Sequence, residues 1–189
     1  MRARVWIIST VIASIGVAAF AHNGATGIVK ERMDGMSAMG KAVKVLTPMM
    51  RGKTSYDADQ VRASADVMIM HSGEQMTRLF PEGTGAKPSS ALPTVWEDWD
   101  GFAELAENLK SYAEGMKLGA DIGLANAAGQ QSSSMMGGAA SGSMGGGMMG
   151  GAEQAMTPEM FAAMPSDRAF AAVAQTCSAC HQKFRAEEN

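Results

Sequence analysis

The sequence predicts an all-α fold, an antiparallel four-helix bundle, on three observations. Apolar residues recur at steps of three and four along four separate segments, which places them on one face of each helix. No segment alternates apolar and polar residues as a half-buried strand does. Four amphipathic helices of roughly 20 residues can bury their apolar faces only against one another, as in a bundle.

The first two helices are predicted from stripes that are rich in methionine and alanine. Pro48 and "RGKTSYD" (51–57) are expected to end the first segment, and a loop with several prolines and glycines (80–93) follows the second. The stripe of the first helix contains Met36, Met39, Val43, Leu46 and Met50. The stripe of the second contains Val61, Ala65, Met68, Ser72, Met76 and Leu79.

The third and fourth helices each have a candidate capping residue at the start. Thr94 is a plausible N-cap with Glu97 as its capping-box partner, and Ser166 is a candidate cap for the last helix. The stripe of the third helix contains Val95, Trp99, Phe102, Ala106, Leu109, Ala113 and Met116. The stripe of the fourth contains Phe170, Val173, Cys177, Cys180 and Phe184.

A Gly/Met-rich segment, residues 127–154, separates the third helix from the fourth. It holds nine of the 22 glycines of the chain and no aromatic residue, so it is expected to be a flexible loop within one domain of residues 22–189. Eight methionines lie between Met135 and Met164. Because thioether clusters suit Cu(I), copper handling by this loop stays open as a less favoured function.

The first 21 residues have the composition of a secretory signal peptide. Arg2 and Arg4 precede an apolar run (5–19), and Ala19-Phe20-Ala21 fits the small-x-small cleavage pattern. The run is shorter than the roughly 20 residues that a membrane span needs. We therefore expect Sec-type export, a periplasmic mature chain and no stable membrane span after cleavage. Cleavage would change the formal net charge from −3 to −5, and this mild acidity argues against a nucleic-acid partner.

Both cysteines of the chain, Cys177 and Cys180, stand three positions apart, and His181 follows directly. Cys-x-x-Cys-His is the signature of covalent haem attachment. Each thiol adds to one haem vinyl group, the two intervening residues match the distance between the vinyls, and the imidazole is an axial ligand of the iron. The motif therefore predicts one covalently attached haem c.

Other functions of this cluster are weaker. A structural disulfide across two residues would constrain the unfolded chain little, and a redox-active one needs a βαβ context that is absent here. Zinc usually takes four ligands, and the chain has no second cysteine pair. A Cys–His nucleophile pair would leave the other cysteine without a role.

The placement of this motif near the C-terminus, on the last of four helices, resembles the class II cytochromes c, the cytochrome c′ family of bacterial periplasmic four-helix bundles. "CSACHQKFR" (177–185) resembles the family's C-terminal pattern, and "IVKERMDGM" (28–36) resembles its first-helix segment. "LFPEGTG" followed by "PTVWEDWDGF" (79–85 and 93–102) resembles its loop and third helix. The long Gly/Met-rich segment departs from the family, whose members usually have a short connection there.

The resemblance implies a role for each matching residue. Cys177 and Cys180 would hold the haem, and His181 would be the proximal ligand of the iron. Arg32 would lie near the haem propionates, and Arg185 near the proximal imidazole.

The distal position of the family lies four residues after Arg32, where this chain has Met36. Gas-binding cytochromes c′ typically have a bulky apolar residue there and a five-coordinate iron, whereas a methionine there is the sixth ligand in the low-spin branch. The resemblance thus implies the Met/His-ligated branch, with Met36 as the distal ligand. Met36 also belongs to an apolar stripe in which it would simply pack, and Met39 is its rival for the iron. His71 is expected at the rim.

Met/His ligation raises the reduction potential and closes the iron to exogenous ligands. We therefore expect an electron carrier for redox partner proteins in the periplasm, not an enzyme, and no catalytic residue. The alternative is a five-coordinate haem protein that binds NO or CO as cytochrome c′ does. The resemblance also permits a homodimer through the first two helices.

Overall fold

The computed structural model describes residues 24–125 and 157–187 and confirms the four-helix bundle. Within these ranges the helices are α1 (Gly27–Met50), α2 (Ala58–Met70), α3 (Glu74–Thr77), α4 (Thr94–Glu97), α5 (Trp99–Leu118), a 3₁₀ turn (Ala120–Ile122), α6 (Pro158–Ala162) and α7 (Ser166–Phe184). None of these helices is long and apolar enough to cross a membrane. The predicted signal peptide (1–21) and Gly/Met-rich loop (127–154) lie outside the described residues.

The four long helices, α1, α2, α5 and α7, enclose one core that the four predicted stripes supply. α5 packs against both α2 and α7, while α1 packs mainly against α2. Large apolar side chains alternate with alanines at the helix contacts, so neighbouring helices approach closely. The core includes Leu46, Val61, Ala65, Met68, Phe102, Ala106, Ala113, Met116 and Val173.

Hydrogen bonds of Tyr56 show how the helices are oriented. This residue lies between α1 and α2, and its hydroxyl lies 2.5 Å from the carbonyl oxygen of Ala120 and 2.7 Å from Oγ of Ser166. The end of α1, the start of α2, the end of α5 and the start of α7 therefore meet at one end of the bundle. Consecutive long helices therefore run antiparallel, and the short connection between α1 and α2 favours this arrangement for the first pair.

The first helix ends at Met50, directly before "RGKTSYD" (51–57) as expected, but Pro48 does not end it. Pro48 lies inside α1, which continues to Met50. Proline lacks an N–H and so removes one helical hydrogen bond, which is tolerable this close to the helix end. The Thr47 hydroxyl, which donates to the Val43 carbonyl at 2.6 Å, adds a local bond in the same turn.

The second stripe does not belong to one continuous helix. α2 ends at Met70, and Gly73 follows with a φ of 56°, a conformation that glycine adopts without steric cost. The N–H of Gly73 donates to the Ala106 carbonyl on α5 at 2.9 Å. The stripe residues beyond this break are still buried, because α3 carries Met76 into the core.

The two predicted N-caps, Thr94 and Ser166, were also wrong. α4 starts at Thr94 itself, whose hydroxyl donates to the Lys183 carbonyl at 2.8 Å. The chain then breaks at Asp98, which caps α5 by accepting from the Gly101 N–H at 3.3 Å. Ser166 is the first residue of α7, with Pro165 before it, and its hydroxyl bonds to Tyr56 instead of capping the helix.

Candidate haem-binding site

A cavity of about 410 Å³ opens at the end of the bundle opposite Tyr56. The first half of α1, the segment from Phe80 to Val95, the start of α5 and the end of α7 form its walls. About half of the lining side chains are apolar, and the polar ones are two arginines, one histidine and three serines: Arg32, Arg185, His181, Ser37, Ser89 and Ser90. The described part of this wall contains no acidic residue. A mainly apolar cavity with a few cationic groups suits a flat apolar cofactor that carries carboxylates.

The last turns of α7 carry the Cys-x-x-Cys-His residues to this cavity. Cys180 and His181 line it, and Cys177 lies one turn earlier, packed against the core. Both cysteines are half-buried and are not bridged to each other. Burial raises the pKa of the Cys177 thiol, and burial together with Cys177 raises that of Cys180 to about 11. Both groups are therefore neutral thiols at neutral pH, the form least prone to oxidation.

His181 has the protonation state that a metal ligand needs. Partial burial, and then the positive charge of Arg185, lower the pKa of its imidazole below the usual 6.5. The ring is therefore neutral at pH 7, and neutral imidazole is the form that binds metals. The backbone N–H of Arg185 donates to the His181 carbonyl at 3.2 Å, so the helix end also fixes the two residues relative to each other.

Arg32 is a buried cation that joins α1 to the loop after α3. Its guanidinium donates to the Leu79 carbonyl at 3.3 Å, to the Thr84 hydroxyl at 3.0 Å and to the Ser89 hydroxyl at 2.6 Å, and it also bonds to the Thr84 carbonyl. It lies 4.6 Å from the centre of the Phe80 ring. Burial lowers the pKa of Arg32, but from so high a value that the group stays charged. The resemblance predicted Arg32 beside a propionate, and here it lines the cavity while holding its wall together.

The two rival methionines of α1 have different surroundings. Met36 is half-buried and lines the large cavity together with His181. Met39 is buried in the core and does not line that cavity. The structure thus brings the predicted distal residue, and not its rival, to the same cavity as the predicted proximal residue.

His71 does not reach the large cavity. It is half-buried at the end of α2 and lines a small adjacent cavity with Gly35, Met36 and Met39. A Cβ added at Gly35 would lie 3.0 Å from Nδ1 of His71, so the imidazole packs closely against α1 on the far side of Met36. His71 was expected at the rim, and the structure instead packs its imidazole against α1.

Three phenylalanines form a wall of the cavity that the sequence analysis did not assign to the site. The Phe80 and Phe102 rings lie 4.8 Å apart, and the Phe102 and Phe184 rings lie 5.4 Å apart, both edge to face. The sequence places Phe102 and Phe184 in apolar stripes and Phe80 at the start of the loop, and all three lie in segments that resemble the family, but none of them is predicted to line the site. Stripe membership shows that a side chain is buried, but not whether its neighbour is protein or a cofactor.

The chain after His181 closes the cavity from the proximal side. Ala91 and Arg185 form an antiparallel bridge, with hydrogen bonds from Leu92 N–H to the Phe184 carbonyl at 2.9 Å and from Ala186 N–H to the Ser90 carbonyl at 2.8 Å. This bridge fixes the loop wall, the part of the cavity wall formed by residues 80–95, to the end of α7. The residues present therefore fit a covalent haem: two thiols, a neutral imidazole, an apolar wall and nearby cations.

Comparison with known proteins agrees with this site. A family model described as cytochrome c′ matches residues 27–139, a range that ends before the Cys-x-x-Cys-His residues. Cytochrome c-556 of Agrobacterium tumefaciens (strain B2A) is 33% identical over 108 residues, which cover 56% of this chain and 80% of that protein.

Solved structures with the same fold include cytochromes c′. One from Thermochromatium tepidum is 25% identical, with a TM-score of 0.58 over 85% of this chain and 95% of that one. A leucine-to-alanine variant of cytochrome c prime from Alcaligenes xylosoxidans, in complex with nitric oxide, is 20% identical. Its TM-score is 0.56 over 85% of this chain and 94% of that one.

Proposed function

Since this chain belongs to the cytochrome c′ family, with haem c as its covalently bound cofactor, we propose that it is a periplasmic electron carrier with Met36 as the sixth iron ligand. In this proposal Cys177 and Cys180 hold the haem and His181 is the proximal ligand. The observation that carries the proposal is that Met36 and His181 line one cavity from different helices. Residues 22–189 would form the one domain of the exported chain.

A Met/His-ligated haem supplies one-electron redox chemistry at a raised potential. The residues of this chain would hold the two axial side chains in place in both oxidation states. Arg32 fixes α1 to the loop wall, and the bridge between Ala91 and Arg185 fixes the same wall to α7. A thioether is a soft, neutral ligand, so Met36 would favour the ferrous state.

Gas binding is the second candidate, and the comparisons support it better than electron transfer. Variants of a solved relative, cytochrome c prime from Alcaligenes xylosoxidans, are described in complexes with nitric oxide (leucine to alanine) and with carbon monoxide (leucine to glycine). Curated relatives also named cytochrome c′ match about half of this chain. If Met36 does not bind the iron, the apolar cavity beside it would admit such a small ligand.

Optical spectra of the wild type and two methionine variants separate the two functions. We expect the ferric wild type to be low-spin with a weak sulfur-to-iron band in the far red, and the ferrous form to bind CO slowly or not at all. Met36→Leu keeps the apolar volume but removes the sulfur, so it should be high-spin and bind CO rapidly. Met39→Leu is the matched control and should keep the wild-type spectrum.

Each alternative result has one interpretation. A high-spin wild type that takes up CO rapidly would contradict the electron-carrier proposal and establish the gas-binding candidate. Loss of the low-spin spectrum in Met39→Leu but not in Met36→Leu would show that the rival methionine binds the iron.

A further inference from the structure

The second half of α1 and the turn after it carry a concentration of positive charge. Residues 37–56 contain four basic side chains, Lys41, Lys44, Arg51 and Lys53, and no acidic one. Residues 22–189 have a formal net charge of −5, so the remainder of them carries −9. This region therefore carries a net charge of +4 in an otherwise acidic protein.

The start of this region adjoins the mouth of the haem cavity. Ser37 and Gly40 line the cavity and are themselves exposed. Lys41 and Lys44 follow Ser37 by four and seven residues, a spacing that puts all of them on one face of α1. Lys44 lies about 6 Å along the helix axis from Gly40.

The two lysines are available to a partner. Both are exposed, and neither makes an ion pair within the part of the chain that the structure describes. Three other lysines, Lys30, Lys117 and Lys183, are each paired with an aspartate. A lysine that has no ion pair within its own protein loses none when it contacts an opposite charge on another protein.

An exposed apolar side chain lies among these charges. Val45 is 45% exposed and stands four residues after Lys41 on the same face. We define the lysine face as Ser37, Gly40, Lys41, Lys44 and Val45. A mixture of cations and an exposed apolar group at a cofactor opening is suited to a transient protein contact.

We propose that the lysine face docks an acidic redox protein and brings it to the mouth of the haem cavity. This inference rests on the proposed electron-transfer function and specifies the chemistry of its partner. Opposite charges steer the encounter and raise the association rate, while the exposed, salt-sensitive contact still lets the partner leave.

Other occupants fit the charges less well. In a symmetric dimer built on this face, each copy would present its lysines to those of the other, with no carboxylate between positions 37 and 56 to compensate. An anionic membrane would attract the face, but it would repel the net charge of −9 carried by the rest of residues 22–189.

The test measures reduction of the ferric holoprotein by the hydroquinone of an acidic flavodoxin in a stopped-flow instrument. One electron passes to the haem iron, and the flavin becomes the semiquinone. The wild-type second-order rate constant should fall as ionic strength rises. Lys41→Gln/Lys44→Gln should lower it about tenfold at low salt and flatten its salt dependence. Lys117→Glu, which changes the net charge by the same two units far from the cavity, is the control and should have little effect.

A second readout does not depend on the rate of electron transfer. Carbodiimide joins a lysine amine to a carboxylate with loss of water, so it should link Lys41 or Lys44 to the flavodoxin, and the linked peptides identify the site by mass. Equal rates for the wild type and the double variant, or equal slowing by Lys117→Glu, would overturn the docking proposal. So would linkage elsewhere, a change of oligomeric state in the double variant, or wild-type binding to phosphatidylglycerol vesicles at the lysine face.

Failure of the underlying function has a different signature. A high-spin wild type that binds CO rapidly and accepts electrons slowly at every ionic strength, in the wild type and the variants alike, would contradict electron transfer itself. A low-spin protein that accepts electrons rapidly without any effect of the lysines would contradict only the docking site.

Discussion

Met36 and Met39 show that the surroundings of a methionine, and not its place in an apolar stripe, determine whether it can reach the cofactor site. They stand three residues apart on α1 and belong to the same apolar stripe, so their spacing cannot distinguish a ligand from a core residue. The structure separates them, since only Met36 lines the cavity that His181 also lines. The choice between them depended on the resemblance at Arg32, and the geometry supports that choice without testing the iron bond itself.

The Arg32 side chain should contribute strongly to stability. Its guanidinium bonds to Leu79, Thr84 and Ser89 from a buried position, so Arg32→Ala removes several charge-assisted bonds at once. We expect a loss of about 3 kcal/mol in the free energy of unfolding, measured by denaturant titration of the holoprotein.

Arg32→Lys is the matched control for charge. A single ammonium group cannot donate to both sides of the loop as the planar guanidinium does, so it should restore less than half of the loss. If Arg32→Lys had the stability of the wild type, the positive charge alone would account for the effect, and the several hydrogen bonds of the guanidinium would not.

At the scale of the element, Asp98 accounts for the main difference between the predicted third helix and the observed one. It divides the segment into α4 and α5 and caps α5. Its carboxylate also bonds to Lys183, which ties the start of α5 to the end of α7. The hydrogen bond from Lys183 is the main cause that lowers the pKa of Asp98 below its ordinary value of 3.8.

The lowered pKa of Asp98 predicts a pH-dependent contribution to stability. Because the folded pKa is below the unfolded one, the contribution is present above pH 3.8 and is lost as the pH falls through the folded value. Asp98→Asn keeps a side chain that can cap a helix but removes the charge. The melting temperature should be lower in the variant at pH 7, and the difference should shrink below pH 3.8. A constant difference across this range would contradict the role of the charge.

Close packing between α5 and α6 depends on a glycine. A Cβ at Gly115 would lie 2.3 Å from Cβ of Phe161 and 2.7 Å from the Pro158 carbonyl oxygen. Gly115→Ala should therefore lower the free energy of unfolding by about 2 kcal/mol, although alanine is the better helix former.

Gly35→Ala is a graded comparison on α1. Its Cβ would meet only the His71 imidazole, at 3.0 Å, and a side chain yields more readily than a backbone. The variant should lose less stability than Gly115→Ala in the same denaturant titration. The reverse order would show that the approach of α5 to α6 is not what requires the glycine.

The sequence predicted the elements better than their ends. Periodicity located all four long helices, because burial of an apolar face is a property of many residues together. The ends depended on single residues: Pro48 did not stop α1, Thr94 did not cap, and the break after Met70 required a contact between Gly73 and Ala106 that sequence spacing does not reveal. For the same reason the motif located the proximal side of the site, but not the wall that Phe80 and Phe102 form.

At the scale of the whole molecule, the two ends of the bundle differ in structure and role. One end holds the haem cavity, and Tyr56 joins the helices at the other. Tyr56→Phe should lower the free energy of unfolding by about 1 kcal/mol, because the hydroxyl bonds to Ala120 and Ser166 are lost. The haem spectrum should not change. A shifted spectrum in this variant would show that the two ends are coupled.

The haem should itself hold the bundle together. The cavity between α1, α5 and α7 is largely apolar, and filling it adds buried area to the native state alone. A chain that lacks haem should be markedly less helical by circular dichroism and should melt at a lower temperature. Equal helicity and melting temperature in the two forms would contradict this expectation.

The cavity is built from two parts of the chain that synthesis separates widely. Arg32 and Met36 are synthesised roughly 150 positions before His181 and Arg185. Closing so long a loop is slow. The distal part of the cavity wall, on α1, is therefore made well before the end of α7 that it faces across the cavity. A nascent chain that stops short of residue 177 has three of its long helices and nothing to anchor the cofactor. Assembly of this site therefore cannot begin until the segment 177–181 has been made.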